Sequence, residues 1–273
     1  MNHLLRPLAP ITTAAWNLID QEANQHLKVA LAARQLVDFT GPHGWEHSSV
    51  NLGRTSPVPS SPETGVEVCS RRVLPLVELR ADFALSRVEL ADVDRGADEI
   101  DLAPLTDAAR RIALAENVAV FNGFPEAGIE GIIEQSPHPT VALGADFESY
   151  PGDVARAVER LRQDGVGGPY GLALGPEGYT GVVESTQHGG YPVFDHLRRI
   201  LGGPIVWAPG VAGAVVLSLR GGDFQFDSGL DIAVGYDRQD ADYVHLYLQE
   251  SFAFRVITAE AAVALVGGAS VGG

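Results

Sequence analysis

From Asn51 to Pro75 the chain runs NLGRTSPVPSSPETGVEVCSRRVLP, with prolines at 57, 59, 62 and 75 and little to bury. A stretch of ~20 residues without apolar periodicity is uncommon inside a compact domain and is usually functional or disordered. In a lone chain it is a mobile surface loop, and it becomes a structural element only if something else covers it. The remaining composition is globular: 273 residues, 45% hydrophobic and 20% charged, enough for a sizeable core in one or two domains and incompatible with intrinsic disorder. Nineteen Lys and Arg against 35 Asp and Glu leave a net charge of −16, which argues against a nucleic-acid surface and equally against an acidic partner. Cys69 is the single cysteine, so no internal disulfide forms, and its expected place is a buried apolar niche. No window is apolar enough to span a membrane, and MNHLLRPLAP lacks the apolar core of a secretory signal, so a cytoplasmic location is expected.

Thr12 and Thr13 are candidate caps for a first helix whose buried stripe is Trp16, Ile19, Ala23, Leu27 and Leu31. Leu36, Val37 and Phe39 predict a short strand that Gly41, Pro42 and Gly44 end. Val77, Leu79, Ala81, Phe83 and Leu85 alternate with mostly charged residues, the pattern of a strand with one buried face. Asp101 and Pro104 start a helix with Leu105, Ala108, Ile112, Ala115 and Ala119 on one side, ending near Gly123. Asp153 caps another, stopped by Gly165, within a glycine-rich region of short strands and helices. Alternation returns at Leu230 to Tyr236, Val244 to Leu248 and Phe252 to Val256. The fold class is α+β with non-local strand pairing.

Chemical motifs are few. His43, Glu46 and His47 have the H-x-x-E-H spacing of a zinc-hydrolase helix, yet Gly41, Pro42 and Gly44 are helix breakers and no third ligand accompanies them. The glycines at 165, 167, 168 and 171 miss the spacing of a phosphate loop, and Pro169 removes a donor. Asp92, Asp94, Asp98, Glu99 and Asp101 fit a solvated loop. Neither a catalytic constellation nor a metal or cofactor site emerges, and the protein's interest lies in its surfaces.

Several stretches, in unbroken order, together resemble the encapsulin shell proteins, relatives of the HK97-type phage capsid. LLRPLAPITTAAWNLIDQEA resembles the family's LAP-x-x-x-x-x-W-x-x-I-D/E-x-E-A opening, and RQLVDFTGPHGWE its G-P-x-G-W-E segment. PLVELRADFAL, ELADVDRG, DGVGGPYGLALGPEGY, GGYPVFDHL, LSLRGGDFQF, SGLDIAVGYD and VHLYLQESFAFRV continue the match. The resemblance implies an HK97 phage-capsid-like fold with a peripheral domain, an axial domain and an extended loop. Residues 1–50 would hold the N-terminal helix and the start of the peripheral domain, 51–75 the extended loop and 76–134 the peripheral domain with its spine helix. Residues 135–225 would form the axial domain, 226–265 further peripheral strands, and 266–273 a flexible tail.

The implied function is a non-enzymatic, self-assembling shell, with closed symmetry from about sixty copies. It would enclose a ferritin-like iron-oxidising protein or a dye-decolorising peroxidase, recruited through a C-terminal targeting peptide, with no nucleic acid or membrane as partner. A prophage major capsid is the alternative on the same fold, disfavoured because many acidic subunits would repel a genome. Carried onto this chain, the peptide groove would use Ile19, Leu27, Leu31, Ile232 and Val234, with Arg34, Asp38 and Asp231 as polar partners. The five-fold pore would use Glu184, His188, Gly189, Gly190 and Tyr191. The aromatic residue through which some members hold flavin is replaced by Arg87 and Val88 at an expected strand-turn, so flavin is not expected.

Overall fold

The computed structural model describes residues 3–97, 99–187 and 189–267. Helix α1 (Thr13–Ala30) starts where the sequence supplies a cap, the Thr12 hydroxyl accepting from Ala15 N at 3.3 Å. It buries Ala15, Ile19, Ala23, Leu27 and Ala30, spacings of three and four that keep one face inward. Trp16 and Leu31, expected in that stripe, are only half-buried, and Trp16 lies under the Arg6 guanidinium, 4.0 Å from its ring centre.

The chain continues through β1 (Asp38–Thr40), β2 (Ser49–Pro57), β3 (Cys69–Pro75) and β4 (Val77–Ser86). Strands β2 and β3 form an antiparallel ribbon from Ser49 opposite Pro75 to Pro57 opposite Cys69. The segment expected as an unpaired loop is therefore a β-ribbon. Backbone pairing needs no apolar face, so periodicity could not reveal it. Leu74 is the single half-buried side chain of β3, and Cys69, expected in an apolar niche, is exposed for the same reason. Arg54 stands opposite Arg72 and Thr55 opposite Arg71.

Two helices follow, α2 (Arg87–Asp94) and α3 (Ala103–Phe121). Arg87 and Val88, and the first carboxylates of the expected acidic loop, are thus helical, because the Ser86 hydroxyl accepts from Val88 N and caps α2. In α3, Ala115 is exposed, and the inward face is carried by residues 105, 108, 109, 112, 113, 116, 117 and 119–121. Gly123 stops the helix at φ +95°.

The central region comprises α4 (Ile132–Gln135), β5 (Val141–Leu143), α5 (Tyr150–Gln163), β6 (Tyr170–Leu174) and α6 (Pro176–Glu184). After it come β7 (Thr186–Gln187), β8 (Tyr191–Pro192), α7 (Val193–Leu201), β9 (Gly202–Trp207) and β10 (Ala214–Ser218). Asp153 is not the cap of α5, which begins three residues earlier with Pro151 in its first turn. Its buried carboxylate instead accepts from Gly144 N at 2.9 Å and pairs with Arg156. The last strands are β11 (Phe224–Ser228), β12 (Ala233–Gln239), β13 (Tyr243–Val256) and β14 (Ala262–Gly267).

These elements make two five-stranded sheets. In the first, β13 pairs antiparallel with β4 along one side, and along the other with β12 and then β11, which carries β1 in parallel. Helices α1 and α3 cover it, burying Ile19, Leu27, Leu105 and Ile112 against Phe83, Leu85, Val234, Leu246 and Leu248. The second sheet has the order β5-β14-β10-β6-β9 and packs on α5 and α7. Strand β14 departs from the expected boundaries: residues 262–265, assigned to the peripheral strands, sit between β5 and β10, and Val266 and Gly267, assigned to the tail, pair with β5. The run AVAL is apolar on both faces, which suits a central strand covered on each side. Residues 268–273 of that tail lie outside the described residues.

The ribbon contributes almost nothing to either core. Replacing residues 54–72 by a short Asn-Gly turn is expected to leave the circular dichroism of the subunit essentially unchanged. Sedimentation velocity of the same variant should show loss of any large particle held together by this ribbon, and particles of normal size would mean the ribbon is dispensable.

Candidate functional site

The first sheet changes its outer strand from β11 to β12 across residues 229–232. Gly229 N donates to Ser251 O and Ser251 N to Leu230 O, both across this junction. Leu31 and Ile232 both pack against the core under α1, and Arg34 reaches Asp231, the residue before Ile232. The Arg34 guanidinium contacts Glu116 at 2.6 Å, Glu250 at 2.7 Å and Asp231 at 2.5 Å, with the rings of Phe39 and Phe226 about 5 Å from it. Burial opposes its charge, but the surrounding carboxylates outweigh that, and its pKa is raised.

Asn117 fixes the same corner. Its side-chain oxygen accepts from Ala32 N at 3.0 Å and Ala33 N at 3.1 Å, while its amide donates to Ala30 O at 2.8 Å and Pro209 O at 3.1 Å. One buried side chain thereby satisfies the end of α1 and the turn after it, groups that would otherwise be orphaned.

This geometry revises the expected peptide groove. Ile19 is 0% exposed, Val234 3% and Leu27 6%, because α1 lays them onto the first sheet, so they are core and offer no open strip. Leu31 and Ile232 remain half-exposed, and the Asp231 carboxylate, exposed itself, also accepts from Ile232 N at 2.8 Å. Arg34 is committed to three carboxylates and acts as an anchor rather than a free contact. Asp38 lies on the wall of a cavity of about 190 Å³ with Leu36, Leu219 and Phe224, and its carboxylate accepts from Gly222 N at 2.6 Å. Sequence reasoning missed Glu116, Asn117 and Glu250. Their signal was polar residues at apolar positions: Glu116 and Asn117 interrupt the inward face of α3, and Glu250 interrupts a strand buried on both faces.

The expected pore residues cluster around a hairpin of the second unit. Glu184 is the exposed last residue of α6, and Gly189 and Gly190 turn the chain between β7 and β8 at φ +100° and +81°. Tyr191 is held by Arg199 at 5.2 Å from its ring centre. His188 lies outside the described residues.

His43, Glu46 and His47 do not form a hydrolase motif, since residues 41–47 contain a turn and no helix. His43 N donates to Ser228 O and Gly44 N to Gly229 O, which ties the segment to the end of β11. Among the described residues no group of three or more His, Cys, Asp or Glu is arranged to hold a metal ion, and no helix is long and apolar enough to cross a membrane.

Residues 1–253 match the family described as encapsulating protein for peroxidase. A type 1 encapsulin shell protein of Rhodospirillum rubrum is 50% identical over 272 residues, covering 98% of this chain and 97% of that one. The chain belongs to the type 1 encapsulin shell proteins. The encapsulin shell protein of Mycobacterium tuberculosis is 44% identical, with 97% of this chain and 99% of that one covered. Among solved structures, a virus-like particle from Pyrococcus furiosus superposes with a TM-score of 0.62 at 16% identity, covering 91% of this chain and 98% of that one. The capsid-like match to Mycobacterium phage Bobi has a TM-score of 0.56 at 15% identity, covering 88% and 91% of the two chains. The fold is thus the HK97-like α+β capsid fold, and the encapsulin role is that of a self-assembling shell.

Asn117 gives a direct test of how the corner is built. Asn117→Ala strips two backbone donors and two carbonyls of their side-chain partner, and is expected to destabilise the subunit by roughly 2–4 kcal/mol, read as a lower thermal unfolding midpoint. An unchanged midpoint would show that the end of α1 is held by packing alone.

Proposed function

We propose that copies of this chain close into an icosahedral compartment of about sixty subunits that encloses a cargo enzyme. The observation that carries this reading is the β2–β3 ribbon. It is exposed along most of its length and aligns like charges that an isolated chain gains nothing by pairing. A neighbouring subunit that covers it turns the ribbon into an interface. The family's description speaks for a peroxidase as cargo, and a ferritin-like iron-oxidising protein is the other candidate. The net charge of −16 speaks against a packaged genome, and the absence of an apolar spanning helix among the described residues suits a compartment in the cytoplasm. The first peripheral unit, from the N-terminus through α3 and again from β11 to β13, would form the wall. The second sheet with its hairpin would form the axial unit, placing Glu184, Gly189, Gly190 and Tyr191, with His188, at the five-fold pore.

Cargo would dock through a C-terminal peptide on the accessible remnant of the expected groove. Leu31 and Ile232 supply the apolar contact, each worth roughly 1.5–3 kcal/mol when a peptide side chain is fully buried against it. Asp38 and Asp231 supply charge for a basic residue of the peptide. The contact is weak singly, and an oligomeric cargo meeting several sites on one inner wall multiplies it through effective concentration. Leu31→Asp combined with Ile232→Asp is expected to give particles of normal size that carry little cargo, measured as cargo mass per purified particle. Wild-type loading would place the docking face elsewhere. Particles filled with nucleic acid would instead favour the prophage capsid.

A further inference from the structure

Glu116 and Glu250 are 0% and 1% exposed, and both turn one carboxylate oxygen toward the same guanidinium, that of Arg34. The other oxygen of each, Oε1, is buried with no donor from the protein. The groups that face Glu250 come from every element around it. Arg34 arrives from the turn after α1, Glu116 from α3 and Asp231 from the link between β11 and β12. Strand β4 places Leu79 opposite, while its Glu78 is occupied by Gln249 Nε2. With every carboxylate ionised, one cation would answer three anions, two of them removed from water, and two acceptor oxygens would stay orphaned. Such an arrangement is strongly unfavourable.

A single proton resolves both problems. Placed on Glu250, whose side chain lies within hydrogen-bonding reach of Glu116, it supplies a donor where neither carboxylate has one and removes one buried negative charge. We infer that Glu250 keeps its proton at neutral pH, so that the corner joining α1, α3 and β13 is closed by an acid–carboxylate pair on Arg34. Burial, reinforced by the neighbouring Glu116 charge, holds Glu250 well above the ordinary glutamate value of 4.5. Below 4.5 the folded and unfolded chains both carry the proton. Above it the unfolded chain releases the proton while the folded chain retains it, until pH rises through the raised folded value. The stabilisation is full on the acid side and lost toward alkaline pH, so this corner is a built-in alkaline weak point of the shell. The inference concerns the subunit and holds whichever cargo the shell takes.

The test is infrared difference spectroscopy on assembled wild-type particles, titrated from neutral to alkaline pH, alongside Glu250→Gln, whose amide imitates the protonated acid. A carbonyl band of a buried carboxylic acid is expected at neutral pH in wild type, disappearing as pH rises and missing in Glu250→Gln. The thermal midpoint of Glu250→Gln should fall less steeply with rising pH than that of wild type. If Glu250→Gln does not assemble, the wild-type titration decides alone. Absence of any protonated-acid band at neutral pH would overturn the inference, the two carboxylates then being ionised and bridged by water.

Discussion

Strand β13 is the constraint on which the rest of the subunit depends. Its fourteen residues pair with β4 along one side and with both β12 and β11 along the other. Val244, Leu246 and Leu248 at its start belong to the core under α1 and α3, whereas Phe252 and Phe254 near its end belong to the core shared with the second sheet. A single strand that passes from one core into the other couples the two units mechanically. Gly235 on β12 lies under the Tyr247 ring of β13, and a Cβ there would come within 2.1 Å of it, so any larger residue would displace that ring.

The polar residues at the centre of β13 are the cost of that position. Gln249, Glu250 and Ser251 are buried where β11 gives way to β12, and each finds a partner that organises the surroundings. Gln249 bonds Glu78, the Ser251 hydroxyl accepts from Leu230 N, and Glu250 draws in Arg34. Arg34 then fixes Asp231, and Asn117 caps α1 beside it, so the surface carrying Leu31 and Ile232 is positioned by buried polar contacts. The proposed docking face thus rests on a corner fixed by buried polar contacts, and the exposed β2–β3 ribbon belongs to neither core.

Much of the fold was readable from periodicity. The alternation from Val77 to Leu85 is β4, the Thr12 cap starts α1, and Pro104 lies in the first turn of α3. The ribbon escaped because pairing of polar strands leaves no hydrophobic trace, and α2 escaped because its cap was hidden at the end of a strong strand pattern. The inward face of α1 was partly readable. Spacing correctly identified the apolar face of α1, but spacing does not say whether a sheet already covers that face, and here it covers Ile19 and Leu27. Arg34 was found by resemblance, whereas its partners Glu116 and Glu250 are distant in sequence and carry a signal only as polar residues on buried faces.

A closed shell of many copies is the state we propose for this chain in solution. Light scattering coupled to size-exclusion chromatography at physiological salt measures it most directly. One species with the mass of about sixty chains, unchanged on dilution, is the predicted result. A stable monomer or dimer, with a radius of gyration of about 18 Å for a single chain, would contradict it.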